Sequence, residues 1–165
     1  GGRSFINLQE ASTDKLVINN GGLDIDLQVK GENDTNLIRT DAANDKVGIS
    51  TSAPTSTLTL TGSFSRSIAT ITGASNAIGV SHSTVLMDAS SGNCKAQLPT
   101  AVGIEGRLYT FKRTDNSANQ CIVAVNGSET VDGMSGDIPI DTQYNSLTIQ
   151  SNGSIWFIVA EVVYD

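Results

Sequence analysis

The amino-acid sequence predicts an all-β protein. Apolar and polar residues alternate in several short runs, most clearly at residues 23–30 (LDIDLQVK), and a two-residue period is typical of β-strands. The 3.6-residue apolar period of an amphipathic helix never persists for three turns. Gly, Ser, Thr and Asn make up 65 of the 165 residues, and this bias indicates many short strands joined by tight turns.

Residues 1–62 are predicted to form a β-structured shaft. A weak internal repeat relates residues 11–18 (ASTDKLVI) to residues 42–49 (AANDKVGI), at an offset of 31. Both copies place Asp-Lys before a short aliphatic strand, which indicates one modular unit used twice. This region has too few aliphatic residues to build a core within one chain, and short β-pieces rarely stand alone. We therefore expect neighbouring copies of the chain to complete its burial.

The remainder is predicted to be a neck or linker at residues 63–82, rich in small residues, followed by a tip domain at residues 83–165. The regular spacing of strands and turns in the tip favours a small antiparallel β-sandwich or jelly-roll-like knob. Its last run, residues 155–160 (IWFIVA), is apolar on both faces, which fits either a covered central strand or a strand in a subunit interface. The predicted tip strands are 84–87, 95–98, 108–113, 120–125, 138–140, 145–150 and 155–163.

Composition limits the classes of function. Hydrophobic residues are 38% of the chain and aromatic residues 5%, enough for one modest core. The net charge of −7 would repel a phosphate backbone, so no nucleic-acid partner is expected. No apolar run approaches the roughly 18 residues that span a bilayer, so no membrane insertion is expected. Cys94 and Cys121 lie in strand-like runs and are predicted to be small buried thiols, with a disulfide as the alternative.

Two sets of phrases in this sequence resemble modules of bacteriophage tail fibres. The first set comprises residues 23–31 (LDIDLQVKG), 36–42 (NLIRTDA) and 45–54 (DKVGISTSAP). The second set comprises residues 85–89 (VLMDA), 98–103 (LPTAVG), 106–113 (GRLYTFKR), 126–133 (NGSETVDG), 146–151 (SLTIQS) and 156–158 (WFI).

This resemblance implies a homotrimeric virion fibre protein with a short intertwined shaft and a distal knob. Its implied partners are other virion tail proteins and a glycan or protein on the host surface. Its implied location is the virion tail fibre, which is extracellular when it acts. Two alternatives remain open: a bacterial adhesin or carbohydrate-binding module, and a fragment of a polysaccharide-degrading tailspike.

No catalytic, cofactor or metal site is predicted, and the protein is not expected to be an enzyme. His82, the only histidine, is interpreted as an exposed neck residue, with an ion site shared by symmetry copies as the alternative. Residues 21–26 (GGLDID) only faintly echo a calcium-binding repeat. No acid and base spacing marks a glycosidase pair among the candidate aspartates. Those candidates are Asp24, Asp26, Asp88, Asp132, Asp137 and Asp141.

Receptor binding is the activity that loops on a rigid β-domain would support. The most plausible loops are 115–119 and 132–137, with Tyr144 nearby as an aromatic side chain that stacks on a sugar or, alternatively, fills the core. The candidate receptor-binding residues are Asn116, Asn119, Met134, Asp137 and Tyr144.

Overall fold

The computed structural model describes residues 6–9, 15–19 and 21–164. Every regular element within these residues is a β-strand, so the predicted all-β class is confirmed. The chain divides into two compact units between Ser65 and Arg66, and each unit is described by itself.

The first unit contains two small sheets. An antiparallel hairpin joins β1 to β2. In the other sheet, β3, β4 and β5 are antiparallel neighbours, and β6 adds to β5 in parallel. The strands are β1 (Ile6–Gln9), β2 (Lys15–Ile18), β3 (Gln28–Val29), β4 (Ile38–Asp41), β5 (Lys46–Ile49) and β6 (Leu58–Leu60).

The internal repeat corresponds to two hairpins, β1–β2 and β4–β5. In each hairpin the second strand begins at the repeated lysine, Lys15 or Lys46. A left-handed residue follows each second strand, Asn19 at φ 59° and Ser50 at φ 54°. Asn tolerates this conformation better than Ser, because its amide bonds locally to the backbone. The aligned Asp14 lies outside the described residues.

The strand predicted at residues 23–30 is much shorter than expected, because only β3 pairs with a neighbour. The Leu27 amide donates 2.7 Å to Thr40 Oγ1 rather than to a backbone carbonyl. The alternation of apolar and polar residues gives this segment an apolar face. A hydrogen-bonded β-ladder also requires the free edge of a neighbouring strand.

The second unit has a seven-stranded sheet and a four-stranded sheet. Their strand orders are β14-β13-β17-β16-β11-β9-β7 and β15-β12-β10-β8. The strands are β7 (Ile68–Thr72), β8 (Asn76–Ala77), β9 (Thr84–Asp88), β10 (Cys94–Gln97), β11 (Leu108–Arg113), β12 (Cys121–Ala124), β13 (Thr130–Val131), β14 (Met134–Ser135), β15 (Ile138–Pro139), β16 (Ser146–Ser151) and β17 (Trp156–Val162).

From β7 to β12 the chain forms three successive coils. It passes from the seven-stranded sheet to the four-stranded sheet and back, so consecutive strands lie in different sheets. Within each sheet the successive coils are parallel and in register. Buried residues therefore stack on their equivalents in the next coil, as Ile71 does on Met87 and Val85 on Phe111.

One hydrophobic core joins the two sheets of this unit. Both sheets contribute to a single cluster of buried side chains. The centre of Trp156 lies 5.6 Å from that of Tyr109, and Tyr109 lies 6.3 Å from Phe111. Because β9, β11 and β16 alternate buried and half-buried residues along their length, one face of this sheet covers the core.

The sequence prediction needs one correction in strand direction. Each of the seven predicted tip segments overlaps an observed strand, but five of the nine strand pairs described in this unit are parallel. The expected antiparallel arrangement is therefore wrong for those pairs. The coil is the physical reason for four of these pairs, since a strand that returns to its sheet by way of another sheet arrives in the same direction. The fifth pair, β13 with β17, lies outside the coil.

Residues 63–82, predicted as a neck, contain two strands that the sequence analysis missed. β7 pairs with β9, and β8 pairs with β10. Ile71 and Ile78 are buried in the core of the second unit. The small residues that suggest a linker are thus compatible with a short edge coil that pairs with β9 and β10.

Cys94 and Cys121 face each other across β10 and β12. Both are free and buried, which confirms the prediction of small buried thiols. The adjacent Cys94 thiol and burial raise the pKa of Cys121 above its usual value.

Candidate functional site

Two loops at one end of the second unit are joined by a buried cation. We call residues 114–119 the first tip loop and residues 140–145 the second tip loop. Arg113, the last residue of β11, is 2% exposed. Its Nη2 donates to the carbonyls of Ser117 (2.6 Å) and Asn119 (2.8 Å) in the first tip loop. Its Nη1 donates 2.9 Å to the carbonyl of Asp141 in the second.

Asp115 balances this cation. Its carboxylate accepts hydrogen bonds from Arg113 Nη2 at 3.2 Å, from the Ser117 hydroxyl at 2.6 Å and from the Ala89 amide at 2.8 Å. Burial alone would raise the pKa of Asp115, but these hydrogen bonds outweigh it and hold the pKa well below its usual range. The two tip loops are thus fixed by a charged network whose members satisfy one another.

The pH dependence of stability should reveal this network. The pKa of Asp115 is lower in the folded than in the unfolded chain, so its stabilising contribution is complete above the unfolded value near ~4 and declines as pH falls below it. Asp115→Asn should lower the free energy of unfolding at pH 7 by about 1–3 kcal/mol. It should also reduce the loss of stability between pH 5 and pH 2, measured by urea unfolding.

Asp137→Asn is the matched control, because the side chain of Asp137 is 41% exposed and pairs only with Lys95 on the surface. Its removal should change stability by less than about 1 kcal/mol. Equal effects of the two substitutions at pH 7 would contradict the role assigned to Asp115.

The tip loops border an open cavity of about 500 Å³. Residues of both loops contribute to its wall, together with one tyrosine that follows β17. The lining residues are Asn116, Ser117, Asp141, Thr142, Gln143, Tyr144 and Tyr164. We call this cavity the tip cavity.

Tyr144 lines the tip cavity with a constrained backbone. Its φ of 68° is a left-handed conformation that costs a bulky side chain roughly 1–3 kcal/mol. Its amide donates 2.9 Å to the Arg113 carbonyl, and its carbonyl accepts 2.6 Å from Lys112 Nζ. Lys112 Nζ also lies 5.7 Å from the centre of the ring. The backbone is therefore held firmly while the side chain remains 52% exposed.

Several polar side chains of the tip cavity are not used by the fold. The side chains of Asn116, Asp141 and Thr142 make no hydrogen bond with any residue that the structure describes. Tyr164 is 54% exposed, and its amide donates 2.7 Å to Asn145 Oδ1, which positions the backbone. The cavity thus presents an amide, a carboxylate and a hydroxyl beside two exposed phenol rings.

Neither a family scan nor a search of curated proteins finds a match to this chain. The function proposed below therefore depends on the chain's own residues and their geometry.

The five candidate receptor-binding residues are not all in one place. Asn116 and Tyr144 line the tip cavity. Asn119 instead donates 2.8 Å to the Ala89 carbonyl and supports the first tip loop. Met134 lies on β14 and is 65% exposed, whereas Asp137 pairs with Lys95 at 2.9 Å. The receptor-binding candidates omit Thr142 and Tyr164, and they omit Asp141, which the sequence suggested only as a glycosidase carboxylate. Asp141 and Thr142 precede Tyr144 in a polar turn, which was a usable signal.

The other candidate sites have structural partners. The His82 ring accepts 3.2 Å from the Gly79 amide within a turn. Asp26 accepts from the Ala42 amide and from Arg39, and these bonds hold the pKa of Asp26 below its usual range. Within the described part of the chain, no three His, Cys, Asp or Glu side chains cluster as metal ligands. The same residues contain no helix that could cross a membrane.

Proposed function

We propose that this chain is a non-catalytic segment of a bacteriophage tail fibre that attaches the virion to a host-surface receptor. It acts as a homotrimer, with an intertwined first unit and a two-layered tip, beside other virion tail proteins. The main support for the proposal is the solvent exposure of aliphatic side chains in the first unit.

No aliphatic side chain described in the first unit is buried. So many exposed apolar side chains are unusual in a stable monomer, because the burial of apolar surface is the dominant favourable contribution to folding. Three copies wound around one axis would cover the same side chains and hide the strand edges. The exposed aliphatic residues are Leu16, Ile18, Ile25, Val29, Leu37, Ile38, Leu58 and Leu60.

The tip supports the same proposal through the outer face of its seven-stranded sheet. On β17, Trp156 is fully buried, whereas Phe157 is 40% and Val159 50% exposed. Neighbouring strands place Thr110 beside Thr148 in register, with their hydroxyls 3.1 Å apart. Copies of a chain of net charge −7 meet most readily where they expose threonine and aliphatic side chains rather than carboxylates.

The trimer is tested by light scattering. The full chain should give a mass of about three times 17.2 kDa at micromolar concentration. The double variant Leu16→Glu, Leu58→Glu should dissociate, because these side chains are 57% and 64% exposed in one chain and would be desolvated between chains. The double variant Ala43→Glu, Ala53→Glu, at two exposed positions outside the strands, adds the same charge and should remain trimeric. A wild-type monomer would overturn the trimer.

Attachment is tested with the fluorescently labelled full chain on a panel of bacterial cells. We expect saturable binding to a subset of strains, with no oligosaccharide released from their capsule or lipopolysaccharide. Tail and baseplate genes beside the coding sequence would support the phage origin. Adhesin-secretion genes in that position would overturn it.

A further inference from the structure

We propose that the tip cavity binds an uncharged pyranose unit of a surface polysaccharide. This inference rests on the proposed function and assigns a site and a ligand class to it. Three properties of the cavity lead to it: exposed aromatic rings on a fixed backbone, unused hydrogen-bonding groups, and the sign of its charge.

The two tyrosine rings supply the contact surface. Tyr144 and Tyr164 are each about half exposed, although aromatic rings of this size are normally drawn into the core. A pyranose has an apolar face of C–H groups, which packs on an aromatic ring while its hydroxyls remain free for hydrogen bonds. Because the Tyr144 backbone is already fixed by Arg113 and Lys112, little ordering is lost when a ligand binds.

The unused polar groups match the hydroxyls of a sugar. An amide both donates and accepts, a carboxylate only accepts, and each sugar hydroxyl can do both. Asn116, Asp141 and Thr142 therefore offer partners to neighbouring hydroxyls on one ring. The volume of about 500 Å³ falls within the roughly 300–1,000 Å³ typical of small-molecule sites.

The charge of the tip cavity selects against acidic sugars. Asp141 lines it, and none of its described lining residues is Lys, Arg or His. A uronic acid, sialic acid or phosphate would face this carboxylate on a chain of net charge −7. Lys112 Nζ lies 5.7 Å from the centre of the Tyr144 ring, but Lys112 is not a lining residue, and its ammonium already donates to the Tyr144 carbonyl. A peptide ligand is less favoured, because none of the described lining residues is Leu, Ile, Val or Met, so the cavity lacks the aliphatic wall that an anchoring apolar side chain would pack against.

The test uses the full chain and an array of neutral and acidic oligosaccharides, followed by calorimetry on the best neutral ligand. Tyr144→Gly should weaken binding roughly tenfold or more. Glycine relieves the backbone strain at φ 68°, so the variant should remain folded, which thermal unfolding will verify. Tyr144→Phe keeps the ring and should bind within about threefold of wild type. Asp141→Asn should narrow the preference for neutral over acidic ligands.

The possible failures are distinguishable. Binding only to acidic oligosaccharides, or unchanged binding by Tyr144→Gly, would overturn this inference and leave attachment intact. Cell binding that survives periodate oxidation of surface sugars would indicate a protein receptor and also overturn it. Absence of binding to every strain would instead overturn the proposed function itself.

Discussion

Trp156→Ala is expected to lower the free energy of unfolding by about 3–5 kcal/mol. The side chain is fully buried, and its ring packs against Tyr109 at 5.6 Å. Alanine would leave a cavity that the two sheets cannot close, because β17 is held by β16 along its length. Urea unfolding of the full chain, followed by circular dichroism, measures the change.

Two matched variants show whether burial is the cause. Phe157→Ala removes an aromatic ring from the next position, but that ring is 40% exposed. This substitution should therefore lower the free energy of unfolding much less than Trp156→Ala does. Trp156→Phe removes an indole N–H that has no hydrogen-bond partner among the described residues. This variant should therefore also lose less unfolding free energy than Trp156→Ala. A loss below about 1 kcal/mol for Trp156→Ala would place this residue outside the core.

The two units should behave oppositely when they are separated. A fragment of residues 66–165 is expected to fold alone, because the core cluster lies entirely within it. A fragment of residues 1–65 should be largely unfolded at low micromolar concentration, since no aliphatic side chain described in it is buried. Amide dispersion in NMR spectra distinguishes the two states.

A third fragment tests the missed strands. Residues 80–165 retain the aromatic core but lack β7, β8 and the buried Ile71 and Ile78. This fragment should be less stable than residues 66–165, because the edges of β9 and β10 become unpaired and the core beneath them is uncovered. A folded fragment of residues 1–65 together with a disordered fragment of residues 66–165 would reverse the assignment of the core.

Much of the strand pattern could be predicted from the sequence, because the alternation of apolar and polar residues indicates which side chains are buried. Along β11, Tyr109, Phe111 and Arg113 share the buried face, and the alternation of residues 108–113 predicts that strand. Strand direction cannot be predicted in this way, because successive side chains point to opposite faces in parallel and antiparallel strands alike. The coil from β7 to β12 therefore could not be deduced from periodicity.

The tip cavity was predicted only in part for a related reason. Asn116 and Tyr144 attract notice as a turn former and an aromatic near predicted loops. Tyr164 joins them through the strand pairing of β17, which no local pattern encodes. Arg113 lies on the buried face of β11, but its role in joining two loops depends partly on the Asp141 carbonyl, 28 residues away in the sequence.

The coils of the second unit also bear on how such a tip changes during evolution. Successive coils pair strand on strand, as neighbouring units do in repeat proteins. The connection between β10 and β11 is longer than that between β8 and β9, yet the strands remain in register. Duplication or deletion of one coil at the β7 edge would thus change the number of stacked coils while leaving the two tip loops unchanged. Recombination between related genes could lengthen or shorten this protein one coil at a time.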